Sequence, residues 1–173
     1  LAVGKAPSIL QIVGYQNSGK TTLVEKIVHV LTESEMKVAT IKHHGHGDFP
    51  EVAQKDSERH RKAGAIVSSV EGAGLLSLSS LREEWSLQEI IRLYEFFEVD
   101  TILIEGYKKE SYPKVVLLRS AEDVELLHKV ENIVAVITWY DAPTNLREEY
   151  KVFHITEDEL YIDWFLQTVR SAK

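Results

Sequence analysis

The chain has 173 residues, 44% apolar and 27% charged, proportions that fit one globular domain (1–173) and exclude disordered or fibrous material. A formal net charge of −7 argues against general affinity for nucleic acid, whose phosphates call for an excess of Lys and Arg. No apolar run approaches the roughly 18 residues that span a bilayer, and the absence of cysteine excludes disulfides, iron–sulfur clusters and thiolate-bound zinc.

Residues 1–8 lack the apolar core of a signal peptide, so the expectation is a cytoplasmic protein with no membrane and no nucleic-acid partner. Ile9 to Val13 then reads as a buried strand. Directly after it, Gly14-Tyr15-Gln16-Asn17-Ser18-Gly19-Lys20-Thr21 is a complete G-x-x-x-x-G-K-[ST] loop, followed by Thr22 and a helical pattern with Leu23, Ile27, Val30 and Leu31 on one face. Strand, glycine loop and helix together form a phosphate cradle. Gly14 and Gly19 let successive N–H groups point inward at a helix N-terminus, Lys20 reaches β- and γ-phosphate oxygens, and the Thr21 hydroxyl ligates Mg²⁺. The chain is therefore expected to bind a nucleoside triphosphate with Mg²⁺.

Residues 37–42 read as a second strand ending at Lys42, and the polar run from His43 to Pro50 as loop. His43, His44 and His46 do not have the spacing of a tetrahedral metal site; at a strand end they point instead to phosphate or substrate contacts, against a plain solvated loop. Residues 56–63 read as a helix bearing the polar group Asp56, Arg59 and His60, either functional or a solvated face. The segments 65–70 and 75–79 are strand-like and separated by Gly72-Ala73-Gly74, a hairpin pattern. Ser86 with Glu89 three residues on starts a helix to Phe97, with Leu87, Ile90, Ile91 and Tyr94 inward.

Residues 101–106 form a nearly all-apolar strand ending in Glu105-Gly106. An acid at that position holds a Mg²⁺-bound water, and the glycine lets the backbone approach the γ-phosphate; the competing reading is a solvent-facing strand end. Lys108, Lys109 and Lys114 follow as a basic cluster. Strands at 115–118, 133–138 and 151–155 and a closing helix at 157–169, with Leu160, Trp164 and Phe165 inward, complete the chain. After the 133–138 strand, Thr138-Trp139-Tyr140-Asp141 carries Thr and Asp of a guanine-recognition motif with Trp139 at its lysine position, so Asp141 reads either as a base acceptor or as a loop-starting residue before Pro143. Apolar strands alternating with amphipathic helices give a three-layer α/β fold of the P-loop NTPase type, its mainly parallel sheet covered by helices on both faces.

Hydrolysis calls for a water-orienting group, often Gln, and an arginine on the transition-state charge. No Gln follows Gly106, and none of Arg59, Arg61, Arg82, Arg92, Arg119 and Arg147 is aimed at the loop by its sequence position or grouped as in a kinase lid. Lys20, Glu105 and Asp56 are then the catalytic candidates of at most a slow GTPase; a small-molecule kinase using ATP is the alternative, and a metallochaperone GTPase a third reading.

The blocks 14–23, Ile41-Lys42-His43-His44, Lys55-Asp56-Ser57-x-Arg59-His60, Ala63-Gly64-Ala65 and Ile104-Glu105-Gly106-Tyr107-Lys108 together closely resemble the molybdopterin-guanine dinucleotide biosynthesis protein B family. The resemblance covers residues 8–120, with 121–173 alike only in architecture. It implies a dimeric GTP-binding accessory protein of molybdenum-cofactor synthesis with weak GTPase activity, assisting the guanylyltransferase that joins GMP to molybdopterin. It further implies that Gly14 to Thr22 hold phosphates, that Asp56 and Glu105 lie near Mg²⁺ or the γ-phosphate, and that Lys42 and His43 lie near the second-strand end.

Overall fold

The computed structural model describes residues 6–43 and 55–171, with side chains from residue 59 onward in the second segment. In chain order the elements are β1 (Ser8–Gly14), α1 (Lys20–Glu33), β2 (Val38–Lys42), α2 (Lys55–Lys62), β3 (Val67–Gly72), β4 (Leu75–Ser80), α3 (Leu87–Tyr94), β5 (Thr101–Glu105), β6 (Lys114–Leu118), β7 (Ile133–Thr138), α4 (Thr144–Glu149), β8 (Val152–His154) and α5 (Asp158–Ser171). Two 3-10 helices, Glu95–Phe97 and Ala121–Lys129, supplement them. The chain divides into two compact units, one of residues 1–43 with 92–173 and one of residues 44–91.

The first unit is built on a six-stranded sheet in the order β2-β5-β1-β6-β7-β8, parallel at every pairing. Its strands are apolar on both sides because both faces are covered. Leu10 and Ile12 of β1, Leu117 of β6 and Ile137 of β7 pack with Leu23, Ile27 and Leu31 of α1 and with Tyr161, Phe165 and Val169 of α5. The intervening residues Val13, Val116, Leu118 and Val136 pack on the other face with Leu126 and Leu127 of the long 3-10 helix and Leu146 of α4. Period-two alternation thus serves two cores at once. The expected three-layer P-loop NTPase fold is the one found. Strand order reverses around β1, whose neighbours β5 and β6 come much later in the chain, and this opens a crevice at the carboxyl edge of the sheet.

The second unit contains the expected hairpin. β3 and β4 pair antiparallel from Val67↔Ser80 to Gly72↔Leu75. Ala73 and Gly74 both take positive φ, 52° and 82°, as a two-residue turn matched to strand twist requires. The Ser86 cap is also present: Glu89 Oε2 accepts from the Ser86 amide at 3.1 Å, and Ser86 Oγ accepts from the Glu89 amide at 3.3 Å. One expectation fails on α5, where Leu160 is 59% exposed and Tyr161, Phe165 and Val169 form the inward face. The two aromatics keep their expected side, Phe165 buried and Trp164 partly buried against the same core.

Candidate phosphate and metal site

The loop between β1 and α1 lies at the carboxyl edge of the sheet and closes on itself through short contacts. Gly14 is packed so tightly that a methyl group there would meet Ser18 Oγ at 2.4 Å and the Leu117 carbonyl at 2.9 Å. Gly19, at φ 94°, is the N-cap of α1 and supplies no side-chain acceptor to its first amides. Those N–H groups are left for an external anion, favoured further by the helix dipole. The Lys20 ammonium folds back over the loop, donating to the Tyr15 carbonyl at 2.7 Å and to Ser18 Oγ at 3.5 Å. Burial pushes its pKa below the ordinary lysine value; Glu105 opposes that shift, and Lys108 and Lys42 add to it. Tyr15 is half-buried, its hydroxyl donates to Glu125 at 3.0 Å, and the Lys108 ammonium lies 4.6 Å from its ring centre. Gln16, Asn17, Thr21 and Thr22 are exposed, and Ser18 is buried.

Glu105 ends β5 with its side chain only 11% exposed, and the Thr21 hydroxyl lies 3.0 Å from each of its carboxylate oxygens. That pairing, between residues 84 apart in sequence, brings together the two oxygen donors that the motif requires. Mg²⁺ is held by one or two carboxylates together with substrate phosphates and waters, and a hydroxyl beside a largely buried carboxylate below an uncapped helix end fits that donor set. Lys42, at the end of β2 and in register with Glu105, places its ammonium 3.1 Å from Thr21 Oγ1 and 3.3 Å from Glu105 Oε1. Gly106 follows at φ 96°, its amide bonded to the Ile12 carbonyl at 3.0 Å; a Cβ there would meet that of His43 at 3.1 Å. The His43 ring packs at 4.4 Å on that of Tyr107. From β1, the buried Gln11 amide holds this turn by donating to the Gly106 and Tyr107 carbonyls at 3.1 and 2.8 Å.

Two expectations are corrected here. Lys114 does not belong to a surface cluster with Lys108 and Lys109: it is fully buried, and its ammonium donates to the Glu110 and Tyr112 carbonyls, pinning the turn that enters β6. Nor is the loop without an arginine. The Arg119 guanidinium, one residue beyond β6, donates to the Asn17 carbonyl at 2.5 Å and lies 5.7 Å from the Trp139 ring centre. Trp139 itself donates its indole N–H to the Ser18 carbonyl at 2.9 Å and packs beside Gly19. Neither residue could be attached to the loop from sequence, being 102 and 121 positions away from its partner.

Asp141, three residues past the end of β7, is exposed. Asp56 falls in α2 within the second unit, and its side chain lies outside the described residues, as do His44 and His46. Among the described residues no three His, Cys, Asp or Glu side chains converge as a metal-binding group, and no helix is long and apolar enough to cross a membrane.

A parallel sheet with a glycine loop at its topological switch, an uncapped helix above it and a Thr–Glu oxygen pair beside it defines a P-loop NTPase. Within that class, residues 9–139 match the model of molybdopterin guanine dinucleotide synthesis protein B, and the chain belongs to that family. It is 43% identical over 164 residues to the probable molybdopterin-guanine dinucleotide biosynthesis adapter protein of Bacillus subtilis, covering 94% of this chain and 93% of that one. Its structure is similar to the crystal structure of Bacillus subtilis MobB, with a TM-score of 0.81 at 40% identity over 92% of this chain and 96% of that one. It is also similar to the MobB homologue from Bacillus stearothermophilus, with a TM-score of 0.76 at 39% identity over 94% and 98% of the two chains. The family model runs to residue 139 and the alignment to the Bacillus subtilis relative covers 94% of this chain, so the likeness extends past residue 120.

Proposed function

We propose that this chain is a GTP- and Mg²⁺-binding adapter in the conversion of molybdopterin to its guanine dinucleotide form, acting in the cytoplasm beside the guanylyltransferase of that pathway. The observation that carries the reading is the Lys20–Thr21–Glu105 constellation at the sheet edge in a chain of this family. The loop amides and Lys20 would hold the β- and γ-phosphates, while Thr21 and Glu105 would hold Mg²⁺, which neutralises phosphate charge when bound. Asp141 would accept from the guanine ring, and His43 would lie toward the terminal phosphate.

Turnover is slow in this reading. Glu105 would be taken up by the metal, and Arg119 is tied to the loop's own backbone, so neither is free to orient water or to stabilise a transition state. The whole chain works as one nucleotide-binding domain and as a homodimer. Support for the dimer comes from the hairpin, where Ile66, Val67, Leu75, Leu76 and Leu78 are 49 to 79% exposed on and beside a two-stranded sheet.

The test is competition binding of GTP, ATP and GDP with and without Mg²⁺, followed by dinucleotide formation by the guanylyltransferase with the chain added. Preference for GTP, turnover below roughly 1 s⁻¹ and stimulation of the transferase are expected. Strong ATP selectivity with phosphoryl transfer to a small acceptor would support the kinase reading instead.

A further inference from the structure

Lys42 has more to do than line the site. Its ammonium is within hydrogen-bond reach of both oxygen groups that would bind the metal, 3.1 Å from Thr21 Oγ1 and 3.3 Å from Glu105 Oε1. A hydroxyl carries one proton and two lone pairs. The Thr21 proton is directed to the Glu105 carboxylate, and the Lys42 ammonium donates to one of the two lone pairs of the oxygen that would bind the metal. Glu105 is 89% buried by its side chain (11% exposed), and a carboxylate so enclosed calls for a counter-charge. We infer that the Lys42 ammonium is a built-in cation that occupies the place of the divalent metal between Thr21 and Glu105 and must swing aside before the metal binds. The inference rests on the metal-binding reading of the preceding section.

The two cations exclude each other. Mg²⁺ approaches oxygen to about 2.0–2.1 Å and demands near-octahedral geometry, so it cannot share these same two oxygens with an ammonium already bonded to them. Displacement of the lysine is easy. Its side chain is 56% exposed and borders a groove of about 560 Å³ between α1 and β2, lined by Val24, Glu25, Val28 and Ile41. No core packing is lost when the stem moves there. Glu25, one helical turn after Thr21 on the same wall, offers the ammonium another carboxylate.

The consequence is a site that takes a triphosphate with little help from metal. Without Mg²⁺, Lys42 and Lys20 both face the incoming phosphates and Glu105 stays neutralised. With Mg²⁺, part of the metal's binding free energy is spent displacing Lys42. Both effects shrink the gain in nucleotide affinity that Mg²⁺ brings.

The experiment is equilibrium binding of a non-hydrolysable GTP analogue to the full chain and to its Lys42→Met and Lys42→Arg variants, first in EDTA and then across a MgCl₂ titration. For Lys42→Met, affinity in EDTA falls about tenfold or more, the loss of one charge-assisted contact. In the same variant, half-saturation by Mg²⁺ moves to lower concentration, so the metal-dependent gain widens. Lys42→Arg keeps affinity in EDTA near that of the parent. Equal weakening of Lys42→Met with and without Mg²⁺ would overturn the inference, making Lys42 a plain phosphate ligand, and so would an unchanged Mg²⁺ midpoint. If the parent chain bound no analogue in either condition, the metal-binding reading itself would fall with it.

Discussion

Gly14 shows how closely the loop is fitted. Its position leaves no room for a methyl group between Ser18 Oγ and the Leu117 carbonyl, and the latter is strand backbone that cannot yield. Gly14→Ala is expected to displace the loop, cost about 1–3 kcal/mol of stability and lower triphosphate affinity at least tenfold, as read by thermal melting and calorimetric titration. Trp139→Phe makes a gentler change: the ring remains beside Gly19, but the Ser18 carbonyl loses its indole donor, and about 0.5–1.5 kcal/mol of stability should go with it. At this scale the sequence was legible wherever chemistry is concentrated in neighbouring residues. The tight loop from Gly14 to the start of α1 and the strand ending at Glu105-Gly106 were readable because the motif's residue types and the apolar runs beside them stand next to each other in the chain. The partners of Arg119, Trp139 and Lys42 were not, since they lie across strands whose order no local pattern encodes.

Elements were readable to the extent that their periodicity was strong. The all-apolar strands and the Ser86–Glu89 cap announce themselves, whereas the 3-10 helix Ala121–Lys129 and the short α4 have too few turns to show a face. Lys114 misleads for a related reason: a lysine reads as surface, yet the carbonyls of Glu110 and Tyr112 give its ammonium partners inside. Between elements, Lys26 of α1 bonds to Asp158 of α5 at 2.6 Å, with both side chains about half exposed. Lys26 and then Tyr161 hold the Asp158 carboxyl below its usual range, and Asp158 in turn raises Lys26. A lowered acid pKa means that the folded chain releases the proton more readily than the unfolded one. The contribution is therefore present above the ordinary aspartate pKa near 3.8 and is lost as pH falls through the lower folded value. Asp158→Asn should cost no more than about 1 kcal/mol near neutral pH, since exposed pairs are screened, and its deficit should vanish in acid. Urea unfolding at pH 7 and at pH 3 or below reads both limits.

Across the whole molecule, an acidic chain with a phosphate-loop motif whose neighbouring Arg119 is engaged with the loop backbone suits a protein that holds nucleotide longer than it consumes it. The exposed apolar hairpin belongs to the same account. Leu76→Lys with Leu78→Lys, two residues on one face of β4, should convert a dimer to a monomer by sedimentation while leaving the phosphate site of the other unit able to bind. The most direct measurement is calorimetric titration of GTP with Mg²⁺ into the chain and into Lys20→Ala. One nucleotide per chain in the first and loss of binding in a still-folded second are predicted. Equal binding by the two, or none by the first, would contradict a triphosphate seat built from the Gly14–Thr22 loop.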